Sequence, residues 1–312
     1  MTAVTARWPL VTLADGEDRG VWQRIFNFED YGDLLGLVHN SLLAGVLLGL
    51  TGGLVGVFVI MRDLPFAVHG ISELSFAGAA AALLMGMNVV AGSIVGSLLA
   101  AAAIGILGVR ARDRNSIIGI LMPFGLGLGV LFLSLYQGRA ANKFGILTGQ
   151  IIAVDTPQMG WLVGTSAVVL IALAVVWRPL TFASADPEVA EARGVPVRAL
   201  SLAFMLVLGL AVALCVQIVG ALLVLALLVT PAAAAARLTA SPVLLPVLSV
   251  VFALAAMEGG ILLALGSAVP ISPYVTTLSF LIYLGCRLAG SRRATRSARI
   301  PAPEAKQPAA RV

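Results

Sequence analysis

Long apolar segments constrain the fold of this 312-residue chain more strongly than any single motif does. Several of them, such as 41–61 and 90–109, reach the length of about 20 residues with which a helix crosses a bilayer. Hydrophobic residues make up 60% of the chain and charged residues only 11%, whereas charged residues form about 25% of a typical soluble domain. The sequence therefore predicts an all-α polytopic membrane protein, a bundle of about eight or nine transmembrane helices.

Polar breaks divide the apolar region into nine expected spans. These are 41–61, 68–85, 90–109, 117–135, 161–176, two spans within 200–236 that meet in a turn near 217–220, then 244–265 and 274–288. A shorter apolar piece, 144–154, is too brief to cross and is predicted to be re-entrant or interfacial. The predicted organisation is a polar N-terminal tail over 1–38, a transmembrane domain over 39–290 and a basic disordered tail over 291–312.

Glycines recur every four residues in the first expected span, at Gly45, Gly49 and Gly53, and Gly52 pairs in the same way with Gly56. Small residues at this spacing let the backbones of neighbouring helices approach closely. The pattern predicts that the first span packs tightly against other helices.

The distribution of basic residues predicts an orientation. Alternating nine spans across the membrane places 15 of the 20 Lys and Arg residues on one side, with Arg62 as an anchor there. Basic residues favour the cytoplasmic side. The C-terminus is therefore expected to be cytoplasmic, and the net charge of +5 reflects topology rather than a nucleic-acid partner.

A polar insertion at 178–198 has the signals of one short helix. Asp186 is placed to cap its N-terminus, Pro187 suits the first helical position, Glu188 follows, and Gly194 lies just past the end. Under the predicted orientation this helix lies on the cytoplasmic side.

The second expected span carries His69 and Glu73, which lie four residues apart among apolar residues. On a helix this spacing puts both side chains on one face. Two interpretations stay open from the residues alone. The imidazole nitrogen and the carboxylate can bind a divalent transition metal, or they can satisfy each other as a polar contact between helices. As metal ligands, a pair from each of two copies would provide the four ligands of a tetrahedral site.

Two other acidic residues are weaker pathway candidates. Glu258 lies within the 244–265 span, where a carboxylate is costly, and it can line a path or serve packing or proton handling. Asp155 lies near a membrane edge, where exposure to water is the simplest interpretation.

Enzymatic signatures are missing from the sequence. It contains no phosphate-loop motif, and its only lysines are Lys143 and Lys306, so any energy from a nucleotide must come from a partner. It also lacks His-Glu-x-x-His and the Gly-x-Ser-x-Gly nucleophile elbow. We expect a transport protein that is not an enzyme and has no permanently bound cofactor.

Five patches in order along the chain resemble the membrane permeases of the metal-uptake branch of ABC transporters, which handle zinc, manganese or iron. The patches lie at 57–78, 115–120, 149–154, 186–196 and 219–235. One departure stands out, because the family has an aspartate where this chain has His69 and a histidine where it has Glu73. One nitrogen ligand and one carboxylate remain, in exchanged order.

The resemblance implies a bacterial-type inner (plasma) membrane protein that works as a homodimer. It also implies cytoplasmic ATP-binding subunits, contacted through the Asp186 helix, and an extracytoplasmic metal-binding protein that delivers the ion. The expected function is import of a divalent transition metal, with zinc favoured. The alternatives are an ABC permease for manganese, iron or an iron chelate, and a stand-alone secondary transporter or channel that uses Glu73 and Glu258.

Overall fold

The computed structural model describes residues 39–108, 111–138, 156–265 and 271–297. Within these residues the chain is all-α and contains no strand. The elements are α1 (His39–Met61), α2 (Pro65–Leu84), α3 (Val89–Leu107), α4 (Ala111–Leu135), α5 (Thr156–Ala185), α6 (Pro187–Ala192), α7 (Val197–Val219), a 3₁₀ turn (Ala221–Leu223), α8 (Val224–Leu228), α9 (Thr230–Leu238), α10 (Leu244–Ala264) and α11 (Ile271–Ser297).

Among the described helices, eight are long and apolar enough to cross a membrane: α1, α2, α3, α4, α5, α7, α10 and α11. The predicted all-α polytopic architecture is therefore confirmed.

The second half of the 200–236 region forms no continuous helix. Gly220, with φ of +85°, ends α7, and Pro231 lies in the first turn of α9. Because proline has no N–H to donate, the short helices α8 and α9 remain separate elements. The expected turn near 217–220 is present, but the span after it is replaced by a broken crossing, the segment 221–238.

The broken crossing still carries the chain from one end of the bundle to the other. Gln217, just before it, donates to the Val89 carbonyl at the start of α3, 3.2 Å away. Ser279 of α11 donates to the carbonyl of Ala226 over 2.8 Å, and Gly290, eleven residues further along α11, lies against the carbonyl of Arg237. The broken crossing and α11 therefore run side by side toward the same end.

Arginines that follow or precede the spans lie at that end, which we call the basic end. They include Arg62, Arg114, Arg178, Arg193, Arg198, Arg237 and Arg287. Asn88 and the start of α3 lie at the opposite end, where the Asn88 side chain caps α3 by accepting from Val90 and Ala91. A short turn over residues 85–88 thus joins α2 to α3.

The glycine pattern of α1 produces the predicted close packing. Gly49 and Gly53 lie against the backbone of Leu254 and Val250 of α10, and Ser249 donates to the Gly53 carbonyl over 2.7 Å. On another side of α1, Gly56 lies against the carbonyl of Leu228 in the broken crossing. One glycine-rich helix thus holds both α10 and the broken crossing in place.

Three expected boundaries differ from the structure. α5 continues through Arg178 and Pro179 to Ala185, where a polar insertion was expected. α4 begins at Ala111, ahead of the expected start at residue 117, and α11 extends to Ser297, into the region expected to be a tail. The expected N-terminal tail 1–38, the piece 144–154 and Asp155 lie outside the described residues.

Candidate metal pathway site

The helix that carries the candidate ligands starts from a tight turn at the basic end. Leu64 N donates to the Val59 carbonyl over 2.9 Å, Asp63 adopts φ of +53°, and Pro65 begins α2. Proline suits this position because its missing N–H costs no helical hydrogen bond. His69 and Glu73 follow in the second and third turns of α2.

Glycines fix α2 against its neighbours. Gly78 lies against the Gly92 carbonyl of α3, and Gly96 of α3 lies against the Leu74 carbonyl. A Cβ on Gly125 of α4 would come within 3.0 Å of the Glu73 carbonyl carbon. The backbone of Glu73 is therefore held directly by α4.

The structure brings His69 and Glu73 together on one face of α2, as their spacing predicts. His69 Nε2 lies 3.7 Å from Glu73 Oε1. The Glu73 side chain is 12% exposed and that of His69 is 33% exposed, so the carboxylate is sheltered while one edge of the imidazole is open. The pair is thus arranged so that a further group can reach it from the His69 side.

The second nitrogen of His69 lacks a fixing partner. Nδ1 is buried and has no hydrogen-bond partner among the described residues. Ser72 donates to the backbone carbonyl of His69, not to its ring. In permanent metal sites, the second ring nitrogen of a histidine ligand usually carries an N–H that donates to a carboxylate or a carbonyl. This hydrogen bond orients the ring. The ring of His69 is therefore less constrained than that of a histidine in a permanent metal site.

The separation of the two ligand atoms suits one shared ion. Metal–nitrogen and metal–oxygen bonds of about 2.0–2.2 Å allow one ion to contact two atoms up to about 4.4 Å apart. His69 Nε2 and Glu73 Oε1 are within that limit. In the part of the chain that the structure describes, no three His, Cys, Asp or Glu residues lie close enough together to hold a metal ion. A complete ligand set therefore needs groups from outside these residues.

Glu258 is not part of this pair. It lies on α10, where a Cβ on Gly45 of α1 would meet its carboxylate. Its Oε1 is buried and has no hydrogen-bond partner among the described residues. The structure thus separates the two membrane carboxylates onto different helices, α2 and α10.

The short helix α6 has the capping that the sequence predicts. Asp186 Oδ1 accepts from Val189 N over 3.0 Å, Pro187 is the first helical residue, and Gly194 adopts φ of +82°. Ala190 is fully buried against the bundle, whereas the Val189 side chain is 44% exposed. The helix therefore presents an apolar side chain outward at the basic end.

Sequence reasoning missed the contacts of Arg62. Its guanidinium donates to the Ser201 hydroxyl over 2.8 Å and lies within 3.4 Å of the Ser184 hydroxyl. Burial and the nearby Arg114 lower the pKa of Arg62, yet arginine stays charged in proteins. The only sequence signal was an arginine directly after an apolar span, which equally describes a surface anchor.

The sequence of the chain matches the ABC 3 transport family over residues 35–289. The chain belongs to this family. Its fold resembles that of a chain of PsaBC from Streptococcus pneumoniae in complex with Fab. The TM-score is 0.74 at 28% sequence identity, and the match covers 82% of this chain and 94% of that chain.

Several relatives of the chain are named as membrane components of transport systems. The manganese transport system membrane protein MntC of Halalkalibacterium halodurans is 31% identical over 223 residues, 71% of this chain and 74% of that protein. The manganese import system permease protein ScaB of Streptococcus parasanguinis is 32% identical over 199 residues, 64% of this chain and 71% of that protein. The high-affinity zinc uptake system membrane protein ZnuB of Haemophilus influenzae is 24% identical over 249 residues, 80% of this chain and 95% of that protein.

Proposed function

We propose that this ABC permease for metal uptake imports Mn²⁺, and that His69 and Glu73 hold the ion during passage. The observation that carries the proposal is the contact between His69 Nε2 and Glu73 Oε1 at 3.7 Å, on a glycine-packed helix inside the bundle. Ionisable groups inside a membrane are costly, and those that are present commonly mark ion pathways, proton relays or other functional sites.

Manganese replaces zinc as the favoured ion. The relatives named for manganese include the 31% and 32% identical proteins, whereas the zinc relative is 24% identical. The site chemistry allows either ion, because carboxylate ligands suit manganese and imidazole suits zinc. The ring of His69, which is less constrained than that of a histidine in a permanent metal site, also suits transient binding of the ion better than permanent binding.

Two copies are needed to complete the site. Each chain contributes one nitrogen and one carboxylate, and the open edge of His69 can face the same edge of a second chain. Two pairs supply four ligands, and water or backbone carbonyls can fill the remaining positions of a manganese ion.

Energy comes from separate ATP-binding subunits that contact α6. We place the basic end, with α6 and the C-terminus, in the cytoplasm of a bacterial cell, because basic residues favour that side of the inner membrane. The exposed Val189 and the capped N-terminus of α6 offer the docking surface. An extracytoplasmic metal-binding protein delivers the ion at the opposite end.

Uptake of radioactive manganese into vesicles that contain the assembled transporter tests the proposal. His69→Ala and Glu73→Gln are each expected to reduce ATP-driven uptake by roughly tenfold or more, the usual effect of losing a group that supports a metal site. His39→Ala is the matched control, because His39 is exposed at the far end of α1. Uptake that is unchanged in both site variants contradicts the site assignment.

The same assay separates the other candidates. Manganese uptake without ATP or ATP-binding subunits would indicate a stand-alone transporter. Competition by excess unlabelled zinc, stronger than competition by manganese, would reinstate zinc as the substrate. Glu258→Gln tests whether the carboxylate on α10 belongs to the path, since a role in packing alone leaves the apparent affinity for manganese unchanged.

A further inference from the structure

A single arginine side chain joins three helices at the basic end. Arg62 lies in the turn between α1 and α2, and its two terminal nitrogens reach different elements. Nη1 lies 3.4 Å from the Ser184 hydroxyl of α5, and Nη2 donates to the Ser201 hydroxyl of α7 over 2.8 Å. These contacts connect residues that are far apart in sequence.

The two serines lie on either side of α6. Ser184 lies in the last turn of α5, two residues before the capping residue Asp186, and Ser201 lies in the second turn of α7. The guanidinium therefore holds both arms of the α5–α6–α7 hairpin. A displacement of α6 relative to the bundle must move these arms or break their bonds to Arg62.

Aromatic packing reinforces the same junction. The Arg62 guanidinium carbon lies 5.9 Å from the centre of the Phe204 ring on α7. Phe58 of α1 packs edge-to-face against both Phe204 and Trp177 of α5, with ring centres 5.8 Å and 4.9 Å apart. Phe58 and Phe204 are fully buried, so this contact between the three helices has no solvent gap.

The other side of the junction leads to the candidate metal ligands. Arg62 precedes Pro65, the first residue of α2, by three positions, and His69 lies one turn further on. Asp63 holds the turn in a left-handed conformation, and Arg114 lies 3.4 Å from its carbonyl. Because only Asp63 and Leu64 separate Arg62 from the start of α2, a displacement of Arg62 reaches α2 directly.

We propose that Arg62 is a positioning residue that couples movement of α6 to the metal-binding face of α2. This inference rests on the proposed function, in which α6 contacts the ATP-binding subunits and α2 carries the path. When ATP binding moves α6, Arg62 pulls on the α1–α2 turn and shifts His69 and Glu73 relative to the second copy. Arg62 touches neither the ion nor the nucleotide.

The test measures manganese transported per ATP hydrolysed in vesicles that contain the whole transporter. Arg62→Gln is expected to keep basal ATP hydrolysis but to lower this ratio by roughly tenfold, a typical coupling between two sites. Ser201→Ala, which removes only the 2.8 Å bond, should lower the ratio less. Arg62→Lys should restore little of the ratio, because lysine lacks the rigid planar fork whose two terminal nitrogens reach the two hydroxyls.

Arg287→Gln is the matched control, since Arg287 is an exposed arginine of α11 at the same end. An unchanged ratio in assembled Arg62→Gln transporter overturns the inference. If the Arg62→Gln chain does not assemble, Ser201→Ala decides, and an unchanged ratio in that variant overturns it. Absence of ATP-driven manganese uptake by the unaltered transporter overturns the proposed function itself, and this is seen before any variant is compared.

Discussion

Gly125 of α4 illustrates how one missing side chain can determine a site. A Cβ at this position would come within 3.0 Å of both the Glu73 carbonyl carbon and the Leu74 nitrogen. Since backbone atoms cannot move aside as a flexible side chain can, the added methyl group must shift α2 or α4. The position of Glu73 therefore depends on a residue that has no side chain and no functional group of its own.

We expect Gly125→Ala to destabilise the chain by about 1–3 kcal/mol, the usual cost of overpacking a close contact. It should also reduce manganese uptake. Thermal unfolding of the purified chain in detergent measures the first effect and vesicle uptake the second. Gly127→Ala on the same helix is the control, because a Cβ there meets nothing within 4 Å. Equal unfolding temperatures for the two variants would contradict this account of the contact.

The exchanged order of His69 and Glu73 gives a second prediction for individual residues. The double substitution His69→Asp with Glu73→His keeps one nitrogen and one carboxylate at the same spacing, so manganese uptake should be largely retained. His69→Asp alone puts two carboxylates on one face, and their repulsion disfavours the ionised pair. We therefore expect the single variant to take up less manganese than the double variant, and the opposite ranking would argue against a shared ion.

At the scale of single helices, the contribution of the Asp186 cap to α6 can be tested without changing the length of the helix. Asp186→Ala removes the acceptor for Val189 N and should cost about 1 kcal/mol of local helix stability, whereas Asp186→Asn keeps a capping oxygen. We expect Asp186→Ala to reduce copurification with the ATP-binding subunits and Asp186→Asn to preserve it. Full copurification of the alanine variant would show that docking does not depend on an ordered α6.

Helix ends show which local features a sequence can predict. The cap at Asp186 and the glycine contacts of α1 follow from residue type and spacing, so both predictions are confirmed. The extension of α5 to Ala185 was not predicted, because Thr181 and Ser184 look like loop residues. In the helix their hydroxyls donate to the carbonyls of Trp177 and Leu180, four residues earlier. These polar side chains therefore find hydrogen-bond partners within α5 itself.

The contacts between distant segments were beyond sequence reasoning. Arg62 was expected to be an anchor at the inner face, and nothing in the local pattern connects it with Ser184 or Ser201. The spacing of His69 and Glu73 predicted a shared face, but not the buried Nδ1 or the contact of Gly125 with the Glu73 backbone. Such contacts depend on how α2, α4, α5 and α7 are arranged, which a single sequence does not specify.

For the whole molecule, the direction of each span determines the topology. The span α2 carries the chain from Arg62 at the basic end to Asn88 at the opposite end, so these two ends lie on opposite sides of the membrane. We expect a cysteine at Met87, which is 56% exposed, to react with an impermeant thiol reagent from outside the cell. A cysteine at Val189 should react only after the membrane is opened.

The native cysteines do not obscure this experiment. Cys215 and Cys286 are 1% and 8% exposed, so they should react slowly with the reagent, and the unaltered chain provides the background. Labelling of both introduced cysteines from the same side would contradict the topology and, with it, the placement of α6 in the cytoplasm.

The central claim is that two copies share one transport site built from His69 and Glu73, and the stoichiometry of manganese binding tests it most directly. Equilibrium dialysis of the assembled transporter, without ATP, should give half an ion per permease chain. Binding should be lost in the His69→Ala and Glu73→Gln variants and kept in His39→Ala. One ion per chain, or half an ion per chain that persists in both site variants, would contradict the shared site.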